Sequence, residues 1–343
     1  MDNNHGNFHP AARTGMKLPS SCAASSRRRF IRICGMGALG CLVSSRGEAL
    51  EKRNAGKVSL GVITDVHADL QPDAKERLEM FINRCVKENP DFIIQLGDLH
   101  HGPSMKKMLE VWNRFPGDKF HVLGNHDMDH KTKREVVRDQ EMPGPYYSFD
   151  KGDFHFVVLD ANHCMKGGKM FDNNNGNYYR ADLRDMVSPE ELDWLREDLG
   201  KTEKPSVLFS HQAFDDIWQG KTSPSKQDIR KIIREANAGG KKKVIACFCG
   251  HHHVDSHMVI EQVHYFQINS ASYYWVEESN QFSNGHMAEY KNPLFAFITL
   301  DPRARTISVQ GVKSRFLPPA PTKKSYARAD LLYPGIKTRK VAY

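Results

Sequence analysis

At 343 residues, with 39% hydrophobic and 26% charged side chains, the chain is long enough for one large core or two small ones and has the composition of a soluble globular protein. The formal charge of +8 does not indicate a nucleic-acid binder. Seven Lys/Arg against two Asp/Glu fall in the first fifty residues, which leaves +3 for the rest, and no long basic run or basic–aromatic weave follows residue 50. No nucleic-acid polymer is therefore expected as a partner. Seven cysteines, three of them (Cys22, Cys34, Cys41) in that first segment, are too few for a disulfide framework at this size.

The first fifty residues read as an export signal. SRRRFIR at 26–32 precedes the uncharged stretch ICGMGALGCLVSS. A basic stretch followed by about a dozen apolar or small residues is the form of a secretory signal. The stretch is too short and too glycine-rich to span a membrane, so no transmembrane span is expected in the mature chain. GMGALG at 35–40 matches a dinucleotide-binding fingerprint only in spelling, because an arginine cluster stands where a strand should precede it. Met16 is an alternative start, cleavage is expected near Ala49, and ALGC ending at Cys41 leaves lipid anchoring open. The order SRRRFIR resembles the twin-arginine signal of bacteria. That resemblance implies recognition of residues 26–49 by the twin-arginine translocation machinery and a periplasmic or extracellular location.

Beyond residue 56, apolar runs alternate with amphipathic helices. Strands are predicted at 58–64, 91–97, 119–124, 154–160, 206–210, 244–250, 263–270, 294–300 and 306–312, several buried on both faces by their pattern. Residues 73–88 place Leu78, Phe81, Ile82, Cys85 and Val86 on one helical stripe, with Asp73 as N-cap and Pro90 just beyond. Residues 104–114 repeat the pattern with Met105, Met108, Leu109 and Trp112 after Ser104. SPEELDWL from 188 is a predicted capping box, with Ser188, Pro189 at the first helical position and Glu191 three residues after the cap. Ile229, Ile232, Ile233 and Ala236 mark a fourth helix. This alternation predicts an α/β fold. The stretches 162–187 and 271–292 read as long functional loops. Cys247 and Cys249 share one face of a strand, where core packing is their expected role. The expected organisation is an export signal over 1–50, one domain over 56–316 and a peripheral Pro- and Lys-rich tail over 317–343.

Five predicted strands end on metal-ligating or phosphate-handling residues. Asp65 and His67 follow the first and Asp98 the second. Asn125, His126 and Asp127 follow the third, His211 another, and His251, His252 and His253 the last. In α/β sheets the carboxyl edge of the strands is where ligands bind. Each fragment alone has a bland explanation as a turn or a hydrogen-bonded core histidine, but the ordered set does not. Spacing of two in an extended chain turns Asp65 and His67 the same way, and likewise His251 and His253, leaving His252 and His257 as neighbours rather than ligands. An aspartate has two oxygens, which suits Asp98 to bridging two cations. Mixed N/O donors favour Zn, Fe or Mn over Ca or Mg.

These residues, in this order, resemble the calcineurin-like metallophosphoesterases over about 56–316. The motifs are Asp65-Val66-His67, Gly97-Asp98, Gly124-Asn125-His126-Asp127, His211 and Gly250-His251-His252-His253. The resemblance implies a four-layer α/β/β/α sandwich with two stacked mixed β-sheets flanked by helices. It implies two divalent transition metal ions, Mn, Fe or Zn. One would be held by Asp65, His67, Asp98 and His253, the other by Asp98, Asn125, His211 and His251. It further implies hydrolysis of a small-molecule phosphoester by a hydroxide held between the ions. His126 would assist at the substrate phosphate, and Asp127 would orient its ring. Monoester, diester and nucleotide-type substrates all remain open. The third motif departs from the family, with Gln212-Ala213 after His211. The tyrosine that purple acid phosphatases place after Gly-Asp is here His101, which could be a ligand, a substrate contact or a loop residue. Asn162 and His163 are further candidates for touching substrate. The alternative is a non-catalytic scaffold of the same fold or a metal-binding protein, against which every ligand position and the His126–Asp127 pair are present.

Overall fold

The computed structural model describes residues 56–100, 102–218, 222–276, 287–322 and 329–343. The expected export signal, Cys41 included, and His101 lie outside these residues. In chain order, β1 (Val58–Ile63), α1 (Ala74–Glu88), β2 (Phe92–Gln95), α2 (Met105–Trp112) and β3 (Asp118–His121) come first. Then follow α3 (Lys133–Asp139), β4 (Tyr147–Lys151), β5 (Phe154–Val158), β6 (His163–Lys166), β7 (Lys169–Asp172) and β8 (Leu183–Met186). The second half runs α4 (Pro189–Lys201), β9 (Ser206–Phe209), α5 (Lys226–Ala236), β10 (Val244–Cys249), β11 (Ser256–Ile260) and β12 (Val263–Gln267). It closes with β13 (Tyr273–Trp275), β14 (Met287–Glu289), β15 (Ala296–Asp301), β16 (Thr306–Gly311) and β17 (Arg339–Ala342).

Two six-stranded mixed sheets organise the chain. One has the order β17-β16-β15-β1-β2-β3, with β1, β2 and β3 parallel. The other has the order β11-β12-β10-β9-β5-β4, with β5, β9, β10 and β12 parallel. Three apolar seams define the layers. Val62, Ile94 and Ile298 meet Phe156, Phe209 and Phe248 between the sheets. Leu78, Phe81, Cys85 and Trp112 of α1 and α2 cover the outer face of the first sheet through Ile63 and Ile93. Leu195, Leu199, Ile229 and Ile233 of α4 and α5 cover the outer face of the second through Val157, Leu208 and Cys247. The arrangement is the α/β/β/α sandwich expected from the sequence. Full burial of one Phe or Leu contributes roughly 1.5–3 kcal/mol, so the seams as wholes, not single contacts, hold the layers. Cys85, Cys164, Cys247 and Cys249 are buried and free, as packing residues should be.

The nine predicted strands all form. The differences lie in caps and connections. Val86 is 49% exposed, because Ala74 and Arg77 shift the buried stripe of α1 away from it. Asp73 does not cap α1; its carboxylate accepts from Arg77 Nε and Gln71 Nε2, both at 2.6 Å. Ser104 likewise leaves α2 uncapped and donates to Asp69. Ser188 caps α4 through the Glu191 amide, but no reciprocal box forms: the Glu191 carboxylate accepts from the Asp160 amide at 2.8 Å. The reciprocal capping box belongs to Thr132 and Glu135, at the start of α3. The stretch 162–187 carries a three-stranded sheet, β7-β6-β8, rather than an irregular loop, and 271–292 contains the hairpin strands β13 and β14. The tail is not peripheral: β17 pairs antiparallel with β16, and Ile336 is buried in the inter-sheet seam. Among the described residues no helix is long and apolar enough to cross a membrane.

Candidate metal centre

The carboxyl ends of β1, β2, β3, β9 and β10 converge. Leaving β1, the Asp65 amide donates to Gly97 O at 3.0 Å and the His67 amide to Asp98 O at 2.9 Å, which ties the first motif to the second. Leaving β10, the His251 amide donates to Asp65 Oδ2 at 3.1 Å, which links the two sheets. The paired spacings do not work by strand alternation. Asp65, His67, Asp98, His251 and His253 all have left-handed backbone, with φ between +52° and +67°. Residues other than glycine rarely adopt that conformation, and here it is concentrated where the two ligand-type clusters meet. Two glycines permit the close approach. A Cβ at Gly124 would fall on the Asp98 amide and carboxylate, and one at Gly250 on the side chains of Thr64 and Asp65.

Two clusters of ligand atoms result, Asp65–His67–His253 and Asp98–His211–His251. In the first, His67 Nε2 lies 3.0 Å from His253 Nε2, and His253 Nε2 lies 3.2 Å from Asp65 Oδ1. In the second, His211 Nε2 lies 3.1 Å from Asp98 Oδ2 and 3.2 Å from His251 Nδ1. Asp98 Oδ2 is also 3.8 Å from His67 Nε2, so one oxygen stands between the clusters. Backbone carbonyls set two of the tautomers. His211 Nδ1–H donates to Leu96 O at 2.7 Å and His253 Nδ1–H to Tyr273 O at 2.8 Å, which turns each Nε2 towards the carboxylates. Asn125 and Asp98 are 4% and 1% exposed.

A family model for the calcineurin-like phosphoesterases matches residues 58–255, the segment that carries every one of these side chains. The chain belongs to the calcineurin-like phosphoesterase family. Two curated relatives are named manganese-dependent ADP-ribose/CDP-alcohol diphosphatase. That of Oryza sativa subsp. japonica is 26% identical over 262 residues, covering 59% of this chain and 79% of the relative. That of Arabidopsis thaliana is 23% identical over 263 residues, covering 59% and 83%. A solved dimetal phosphatase from Danio rerio has the same fold, with a TM-score of 0.57 at 15% identity over 76% of this chain and 98% of that one.

The donor set of this phosphoesterase fits two divalent cations. Asn125 Oδ1 is a buried acceptor with no hydrogen-bond donor, a costly state that a cation relieves. Two pairs of histidine nitrogens face each other at close range, which suits lone pairs directed at shared positive charge. The electrostatics agree. Burial alone would raise Asp65 and Asp98, but His253 and His211 respectively, with their neighbours, hold both carboxyls well below the usual range. Burial would lower His211, yet Asp98 and Asp65 raise it to about 10. Burial and the neighbouring His211 and His252 lower His251. A site this rich in negative charge draws cations.

The roles around His126 differ from those expected. Asp127 does not meet the ring. Its oxygens accept from the backbone amides of Gly124, Asp98, Leu99 and His100 at 2.9–3.3 Å, so it fixes the two loops that present Asp98 and Asn125. Burial and Asp98 push Asp127 up, to about 7, against those donors. The carboxylate that meets the ring is Asp129, 2.9 Å from His126 Nδ1, and Tyr178 and Tyr179 join it. The single turn of 3-10 helix at His126–Met128 brings residue i+3 beside His126, a spacing visible in GNHDMD. Nothing in NNNGNYYR marked the tyrosines. Asn162 is buried and braces Leu123, Asp160 and Gln212, so it does not face substrate. His163 bonds Met186 O and Asp172 instead. Asp160, His163 and Glu191 also come within metal-binding reach, but the Lys133 ammonium already sits 2.6 Å from Asp160 and 2.7 Å from Asp172. His252 joins neither cluster and bonds Gln267 Oε1 at 3.0 Å; His257 bonds His264. A cavity of about 930 Å3 opens over the clusters, walled by His126, Tyr179, Arg184, Trp218 and Trp275.

Proposed function

We propose that the protein hydrolyses phosphoester bonds of a small molecule using two divalent cations. Asp65, His67 and His253 would hold one cation, and His211, His251 and Asn125 the other, with Asp98 shared. The observation that carries this reading is the pair of interlocked clusters with Asp98 Oδ2 between them. Two divalent ions there supply positive charge that polarises a phosphoester and acidifies water. The chain's own residues do the rest. Asp98 and Asp65 fix the charge, while Asp127 holds the loops in register. His126 lines the cavity, where it can hydrogen-bond the phosphate and pass a proton from Nε2 to the leaving oxygen. Burial opposes its protonation, but Asp98 and Asp129 raise His126 above the ordinary histidine value, as an acid requires.

The proposed substrates are nucleotide-type, with the bond in a nucleoside-diphosphate compound as the first choice. The cavity exceeds what a phosphate alone needs and offers aromatic faces at Tyr179, Trp218 and Trp275 with a cation at Arg184. The names of the two plant relatives support the same class and point to manganese. The test is a turnover screen with Mn, Fe or Zn added, over ADP-ribose, a CDP-alcohol, a cyclic nucleotide, and mono- and bis-p-nitrophenyl phosphate. Formation of AMP or CMP is expected. No turnover on any of them by protein carrying two metals would sink the enzymatic reading and leave the scaffold or metal-storage reading. Export through a twin-arginine signal at 26–49 belongs to the same proposal and rests on the sequence alone.

A further inference from the structure

Resting on the phosphoesterase reading, we propose that Asp129, braced by Tyr178 and Tyr179, is the positioning residue for His126. One carboxylate gathers three groups. His126 Nδ1 lies 2.9 Å from Asp129 Oδ2, the Tyr178 hydroxyl donates to Oδ1 at 2.5 Å, and the Tyr179 hydroxyl donates to Oδ2 at 3.2 Å. A carboxylate only accepts, so the proton on the imidazole's inner side is on Nδ1. That leaves Nε2 as the nitrogen that serves the cavity. The tyrosine rings stack at 4.4 Å, with Tyr178 1% exposed and Tyr179 57% exposed. One ring is therefore part of the interior and the other part of the cavity wall.

The brace comes from the small sheet, not from the strands that carry the metal ligands. Tyr178 and Tyr179 lie between β7 and β8, in a turn entered through Gly176 at φ +69°. That turn is sewn to the loop after His126. The Gly176 amide donates to Met128 O at 3.0 Å, the Asn175 amide to Lys131 O at 2.9 Å, and the Lys133 amide to Asn174 Oδ1 at 2.8 Å. Lys133, pinned to Asp160 and Asp172, locks the same junction from the other side. The β6–β8 segment thus shapes the cavity and sets the His126 ring at once.

Two measurements test this. In metal-free protein with 15N-labelled histidine, at a pH high enough for the ring to be neutral, wild-type His126 is expected as the Nδ1–H tautomer, and Asp129→Asn should shift its population towards Nε2–H. In manganese-saturated enzyme, Asp129→Asn should lower kcat by about 10- to 100-fold on an alkyl phosphoester, with KM and metal content held. The loss should be much smaller on the p-nitrophenyl ester, whose leaving group needs no proton. Tyr179→Phe, at an exposed position that does not endanger folding, should show the same leaving-group dependence to a lesser degree. Equal losses on both esters, loss of metal, or an unmoved His126 signal in Asp129→Asn would overturn the proposal. A wild-type enzyme that hydrolyses neither these esters nor ADP-ribose, a CDP-alcohol or a cyclic nucleotide would overturn the phosphoesterase reading instead, and the tautomer measurement would still decide the role of Asp129.

Discussion

Replacing Asp98 by Asn tests whether one side chain serves two ions. Its Oδ2 lies 3.1 Å from His211 Nε2 and 3.8 Å from His67 Nε2, one nitrogen from each cluster. Oδ1 accepts from the His126 amide at 2.8 Å, and an Asn carbonyl can keep that bond. The substitution therefore removes charge with little change of shape. At an effective dielectric of about 20, a unit charge pair about 4 Å apart is worth about 4 kcal/mol. A divalent cation at least matches that figure, so at 1.4 kcal/mol per decade the loss weakens each cation by about a thousandfold or more, and a shared ligand imposes that on both sites. Purified wild-type and variant proteins would be dialysed against micromolar manganese and their metal content measured, with circular dichroism as a check on folding. Asp98→Asn should lose both ions, whereas His67→Ala should lose one. An Asp98→Asn protein that kept one ion at full occupancy would refute the sharing.

Gly124→Ala drives a Cβ into the Asp98 amide and carboxylate, a backbone neighbour that cannot swing aside. A cost of roughly 1–3 kcal/mol is expected, seen by calorimetry of metal-free protein as a fall in Tm of several degrees, and an unchanged Tm would contradict it. His155 bonds Asp150 and Asp198, both at 2.8 Å, and these carboxylates raise it despite burial. The folded state therefore binds this proton more tightly than the unfolded state. The stabilisation is complete below about pH 6.5, the unfolded histidine value, and disappears as pH rises through the higher folded one. His155→Gln should lower Tm more at pH 6 than at pH 9; equal losses would contradict the pairing. For the export proposal, replacing Arg27, Arg28 and Arg29 by Lys in the full-length chain should leave unprocessed protein in the cytoplasm of a bacterial host. Normal processing of that variant would refute the twin-arginine assignment.

The strand–helix alternation was legible in local patterns, while the four-layer arrangement and the assignment of ligands came with the family resemblance. Apolar runs marked the nine strands, and Asp, Asn and His at their ends named the site. What was illegible rests on contacts between distant segments. Strand alternation predicts that Asp65 and His67 face the same way; the structure brings them together through left-handed backbone instead, held by amides bonding Gly97 and Asp98 across the sheet. The family resemblance implies Asp127 as the partner of His126, yet a helical turn presents Asp129 to the ring. The short strands β6–β8 carry little apolar signal: Lys166, Lys169, Phe171 and Leu183 are all exposed, so the segment read as loop. The strand β17 was hidden for the same reason, because its Lys340 and Ala342 face solvent while Val341 pairs with Ile307.

The central claim is that side chains from five strand ends hold a pair of cations. Crystals of the manganese-loaded protein, measured at the manganese absorption edge, test it most directly. The account predicts two anomalous peaks, about 3.5–4 Å apart, one at Asp65–His67–His253 and one at Asp98–His211–His251. A single peak, or peaks away from Asp98, would contradict it.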